Sequence, residues 1–167
     1  MNRDFGMLLA RSAIGLAFAA HGAQKAFGSF GGPGLKKAAG FFEGMGFKPG
    51  ATYVGLAAYT EIGSGLLIAA GLGGPAGPAG LIGVMTVAGA GHLKDGFFVQ
   101  NGGVEINVLY SAAALAFAMG GYGRYSLDAA MGLDAALAHD KLIWAAVAAG
   151  VAGGLVILAQ RESPPTT

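Results

Sequence analysis

The sequence has no cysteine and very little charge. Without cysteine in 167 residues, disulfides, thiol nucleophiles and thiolate metal ligands are excluded. Charged residues make up 11% of the chain, against about 25% in a soluble domain. With 54% hydrophobic residues there is too little polar surface to cover a soluble globule. A mean hydropathy of +0.58 agrees, and a bilayer is the natural solvent. The net charge is +1, which offers no basic field to nucleic acid. No flavin, haem or iron–sulfur motif is present.

What the chain does have is glycine, 32 residues of it, scattered among Ala, Leu and Val without a collagen period. Membrane helices use small residues in this way to bring backbones together. A span takes about 20 apolar residues. Five segments meet or approach that length: 5–27, 51–72, 76–93, 105–122 and 142–159. The Gly- and Pro-rich run at 71–80 breaks the uncharged stretch between the second and third. Ala112, Ala116 and Gly120, and likewise Ala146, Gly150 and Gly154, recur every four residues. Such faces suit close helix packing, including self-association into a homo-oligomer. Arg3 and Ala17-Phe18-Ala19 outline a signal peptide, but Arg11 leaves an apolar core of only Ser12 to Phe18, so the first segment is expected to stay as a span. Between the first two spans, Leu35, Ala38, Ala39, Phe42 and Met45 share one side of a helical wheel, opposite Lys36, Lys37 and Glu43. That pattern predicts a short helix lying at the membrane surface. The expected fold is therefore all-α: a membrane-spanning antiparallel four-helix bundle, a short interfacial helix after the first span, and an additional C-terminal transmembrane helix. Residues 1–160 form one membrane domain in this reading, and 161–167 a polar disordered tail.

Ionisable side chains inside a bilayer are costly and normally face the bundle interior. If the first span runs from face A to face B, His21 lies about 9 Å below face B, and Glu61 of the returning second span about 15 Å below it. His92 then falls at the exit of the third span and Glu105 at the entrance of the fourth. His21, Lys25, Glu61, His92 and Glu105 are thus expected to gather in the half of the bundle nearer face B. Facing agrees with depth. Arg11, Gly15, Phe18, Gly22 and Lys25 form one stripe of the first span, and Val54, Ala58, Glu61, Gly65 and Ile68 one stripe of the second. Arg11 belongs to the other half, where Asp128 is the nearest obvious carboxylate, so a structural Arg11–Asp128 ion pair is expected.

These elements resemble the DoxX family of small bacterial integral membrane proteins. The likeness rests on the Arg11-to-Lys25 helix with its HGAQK, Glu61 followed by GSGLLIAAGL, His92 with Glu105 thirteen residues on, and GGYGRYSLD at 120–128. It runs over about residues 5–130 and implies a bundle of four membrane helices in the bacterial cytoplasmic membrane, with 142–159 as an extra span. It also implies work in or beside a membrane redox system, including quinone-coupled chemistry. The thiol–disulfide chemistry of related groups is excluded here by the lack of cysteine.

A quinone head group needs a hydrogen-bond donor and acceptor near the interface, and an apolar groove for its tail. His21 and Glu61 supply proton-transfer groups, Lys25 a cation for a developing anion, and His92 and Glu105 further polar contacts. Electrons would come from a soluble or membrane oxidoreductase partner. Three other roles stay open on the same residues. His21, His92, Glu61 and Glu105 are an acceptable ligand set for a first-row metal, though no local ligand spacing supports it. Alternatively, Lys25 and Glu61 neutralise each other in a membrane anchor for a soluble oxidoreductase, or in a small-solute carrier. Lys25, Lys36, Lys37, Lys48 and Lys94 all fall on face B, which places that face and the 28–50 loop in the cytoplasm.

Overall fold

The architecture follows from a computed structural model that describes residues 3–162. Among the described residues every regular element is helical: α1 (Arg3–Phe27), α2 (Gly34–Gly44), α3 (Gly50–Ala70), α4 (Ala76–His92), α5 (Glu105–Gly120), α6 (Leu127–Ala130), α7 (Asp134–Leu137) and α8 (Asp140–Ala159). Helices α1, α3, α4 and α8 are long and apolar enough to cross a membrane, with α4 continuing through a 3-10 turn to Asp95. Helix α5 is shorter, at 16 residues. That is about 24 Å at 1.5 Å per residue. It nevertheless reaches between the same two faces as α4. At one end His92 bonds Gly102 O just before α5, and at the other Tyr122 Oη, just after it, donates to Gly74 O before α4.

Two glycine-mediated seams hold the long helices. Helix α1 lies against α3, where a Cβ on Gly15 would meet the Gly65 carbonyl at 2.5 Å and one on Gly65 would collide with Gly15 in return. Only glycine permits that backbone approach, and it takes the place of the water-driven force that lipid does not supply. Every residue of the stripe Arg11, Gly15, Phe18 and Gly22 is buried, as is every residue of Val54, Ala58, Glu61, Gly65 and Ile68. The second seam joins α8 to α4, with Gly150 on Ala79 and Gly154 on Gly83 and Thr86. The small-residue face of α8 is therefore used inside the chain, whereas Ala112, Ala116 and Gly120 on α5 are exposed.

Helix α4 meets α3 closely only toward face A, where Gly77 and Gly80 lie on Leu67, Ile68 and Ser64. Nearer face B the two helices part, and the space between them is a cavity rather than a seam. Helix α2 is the short helix expected after the first span, and of its apolar stripe only Leu35 is exposed. Ala38 is buried and Ala39, Phe42 and Met45 are half-buried, so the apolar stripe packs on the bundle, while Phe41 points outward, 67% exposed. The expected tail starts later than predicted. Arg161 and Glu162 are bonded to the turn after α2, and the remaining tail residues, 163–167, lie outside the described ones.

Candidate functional site

Near face B, Lys25 Nζ donates to both oxygens of Glu61, at 2.9 Å to Oε1 and 2.7 Å to Oε2. The contact exists because α1 and α3 touch at glycine just below it. Gly22, one turn before Lys25, sits on the Ala58 carbonyl one turn before Glu61. A side chain at Gly22 would push the helices apart and separate the pair. The Glu61 side chain is 5% exposed and that of Lys25 27%, so the carboxylate is the buried partner and the ammonium reaches it from the rim. Two backbone stripes, read separately from the sequence, thus converge on one ion pair.

The pair faces a cavity of about 890 Å³ between α3 and α4. Phe18, His21 and Lys25 line it from α1, Thr60 and Glu61 from α3, Asn107 and Tyr110 from α5. The His21 ring stands edge-on to Tyr110, centroids 6.4 Å apart, and Tyr110 packs on Phe18 at 5.6 Å. His21 Nδ1 lies 3.3 Å from Gln24 Oε1. An amide oxygen only accepts, so this contact is a bond in the Nδ1-protonated tautomer, which leaves Nε2 as an acceptor. Away from this polar group the walls are mostly apolar and mix small residues such as Ala57, Ala79, Gly83 and Gly153 with larger ones such as Phe42 and Leu56, while Lys94, Asp95 and Arg161 also line them. The result is an amphiphilic chamber with a charged, hydrogen-bonding group in its wall and a mostly apolar arm toward α8.

The five residues expected to gather do so unevenly. His21, Lys25, Glu61 and His92 all line the chamber. His92 stands at its exposed rim, and its Nδ1–H donates to Gly102 O at 2.7 Å, which fixes the ring on the 93–104 loop. Glu105 does not line the chamber. Its Oε2 accepts from Val99 N at 2.9 Å and braces that same loop. Among the described residues no three of His, Asp and Glu come together as metal ligands, so the four-ligand set is not assembled. The sequence reading missed Tyr110 and Asn107. Helix α5 carries apolar residues on every side, and no clear periodic face marks which residues point inward.

The expected Arg11–Asp128 ion pair does not form among the described residues. Both side chains are buried near face A, but each is used on backbone groups. Arg11 Nη1 donates to Ala69 O and Nη2 to Tyr125 O. Asp128 accepts from Gly73 N at 2.9 Å and Gly74 N at 2.8 Å. The physical reason is the end of α3. That helix stops at Gly71, whose left-handed conformation (φ 66°) turns the chain: Ala69 O is among the terminal carbonyls of α3, and Gly73 N and Gly74 N lie in the turn that leads into the start of α4. A cation takes the carbonyl side and an anion the amide side, as the helix dipole favours.

Neither the curated proteins nor the solved structures compared with this chain include a significant match. A protein-family model does match, that of DoxX, over residues 6–94. The match holds Arg11, His21, Lys25, Glu61 and His92, and it ends before α5, so Tyr110, Glu105 and the 120–128 segment lie beyond it. It spans more than half of the 167 residues, over the helices that build the ion pair, and the chain is a membrane protein that belongs to the DoxX family.

Proposed function

We propose that this protein is a quinone-interacting subunit of a membrane redox system in the bacterial cytoplasmic membrane, with face B and the 28–50 loop in the cytoplasm. One observation carries the proposal: a bidentate Lys25–Glu61 pair stands in the wall of a mostly apolar chamber of about 890 Å³. That volume suits a ligand of cofactor size. The residues fit a planar, two-carbonyl head group. Lys25 and the Tyr110 hydroxyl offer donors, the His21 ring an acceptor, and Phe18 a flat apolar neighbour. A quinone, when bound, supplies the two-electron acceptor. The chain's own part is to orient the head group, hold a cation against charge that develops on an oxygen, and let the Glu61 carboxyl take up a proton and pass it to that oxygen. Electrons come from a partner oxidoreductase, because the chain has no redox motif of its own.

The test uses purified protein in lipid nanodiscs loaded with decylubiquinone, washed, extracted and quantified. About one quinone per chain is expected, with Tyr110→Phe lowering the retained amount about tenfold, the scale of one lost hydrogen bond to a buried group. Retention no higher than in empty nanodiscs overturns the proposal. The exposed loop side chains Leu93, Phe97 and Phe98 at face B favour a second role, anchoring a soluble partner. A deletion strain that keeps quinone-linked respiration but releases an oxidoreductase from its membranes selects that role.

A further inference from the structure

The C-terminal end of α8 crosses the open side of the chamber. Helices α3 and α8 flank the apolar arm without a seam of their own, and Leu56 and Val156 stand exposed on either side of the gap. At face B that gap is bridged. Tyr53 Oη on α3 donates to Gln160 Oε1 at 2.9 Å. Arg161 Nε donates to Met45 O, Glu162 N donates to Gly46 O at 2.9 Å, and Lys48 pairs with Glu162 at 3.0 Å. The Arg161 guanidinium also lies over the Phe47 ring, 6.0 Å from its centroid. Met45, Phe47, Tyr53, Leu158 and Arg161 all line the chamber, so the bridge is part of its wall.

The middle of α8 and the residues just after it are held by different physics. Its middle is fixed by backbone-to-backbone packing of Gly150 and Gly154 on α4. The residues after it are held by polar contacts at an exposed edge, where the Lys48 and Glu162 side chains are 53% and 58% exposed. Contacts of that kind are individually weak and open without disturbing a core. A molecule that keeps its polar head at interface depth, and moves sideways from the bilayer toward Lys25 and Glu61, meets this bridge between α3 and α8.

We infer that residues 160–162 are a latch that gates lateral access from the face-B interface to the Lys25–Glu61 chamber. The inference takes only the identity of the entering molecule from the quinone proposal. Its test needs no ligand, so the two fail separately. Because the chain has no cysteine, a single Thr60→Cys places the only thiol on the chamber wall. The control is Gly63→Cys, at an exposed position on α3 with open space around it. Both are modified with N-ethylmaleimide in nanodiscs. Ending the chain at Gln160 is expected to raise the Thr60→Cys rate about tenfold and leave Gly63→Cys unchanged, the signature of a local opening. The milder Lys48→Ala/Arg161→Ala variant, which keeps the full chain, is expected to raise it by a smaller factor. An unchanged Thr60→Cys rate overturns the latch. So does an equal rise at both positions, which would mean general loosening of the bundle.

Discussion

The two ends of the bundle treat their buried charges in opposite ways. At face A, Arg11 and Asp128 are spent on backbone: Ala69 O and Tyr125 O take the cation, Gly73 N and Gly74 N the anion. Neighbouring polar groups follow suit, with Tyr122 Oη on Gly74 O, Ser126 Oγ on Gly123 O, and the Arg124 amide on Asp4. At face B, Lys25 and Glu61 are spent on each other, beside open volume. A charge that satisfies a helix end cannot leave it without exposing the groups it caps. A charge paired with another side chain can be offered to a ligand that replaces its partner. Sequence alone places Arg11 and Lys25 on one stripe of α1 in opposite halves of the bundle and expects each to meet a carboxylate. Their partners separate a structural end from an available one.

The largest expected effect breaks the face-A end. Arg11 is 2% exposed, and Arg11→Ala removes two charge-assisted bonds and leaves a void. Together these cost about 3–5 kcal/mol. A large fall in the thermal midpoint in detergent, followed by circular dichroism, is the expected result. Arg11→Lys should recover little of it, since one ammonium cannot reproduce a planar fork that spans two carbonyls. Full recovery by lysine would mean that charge alone is needed at face A.

Lys25→Met comes next. It strands a carboxylate whose side chain is only 5% exposed. Removing one partner of a buried pair costs about 3 kcal/mol or more. Glu61→Gln should cost less, because Lys25 is 27% exposed and its flexible stem can carry the ammonium to the interface. Parallel melts of the two variants read the asymmetry directly. If Glu61→Gln proved the more harmful, face B would be a structural end like face A.

How far this contrast could be read in the sequence depends on what each residue bonds. The inward stripes of α1 and α3 were largely legible, with Lys25 at the half-buried end of the first and Ser64 an unforeseen member of the second, because a helix facing protein on one side and lipid on the other must repeat its small and polar residues every three or four positions. Topology then brought Lys25 to Glu61, thirty-six positions away. The Arg11–Asp128 expectation failed because opposite charges were matched to each other, while the true competitors were amides and carbonyls around the turn at Gly71, and every residue carries those. Arg161 and Glu162 read as a loose tail in the sequence for the same reason. Their main partners are backbone carbonyls at Met45 and Gly46, which no residue pattern marks.

A smaller change sharpens the face-A side. Asp128→Asn keeps the shape but exchanges one acceptor oxygen for an amide group, so one of the Gly73 and Gly74 amides loses its partner. The expected cost is about 1–2 kcal/mol. It should appear in the melting midpoint with no change in decylubiquinone retention, because this turn lies at the opposite end from the chamber.

The smallest expected stability effect is also the most selective for face B. Tyr110 packs its ring on Phe18 and meets His21 edge-on, and both contacts survive in Tyr110→Phe. No hydrogen bond of its hydroxyl to a described residue accompanies them, so removing that oxygen should change stability by less than about 0.5 kcal/mol. The hydroxyl nevertheless belongs to a residue on the same chamber wall as Glu61. If the chamber holds a carbonyl-bearing head group, the same substitution removes a donor to it, and decylubiquinone retention falls while the melt does not. Arg11→Ala should do the reverse, lowering the melt while molecules that remain folded keep their quinone. Opposite responses from residues of one bundle are what two ends with different partners require. Parallel losses of stability and retention in both variants would mean that the two ends act as one structural unit.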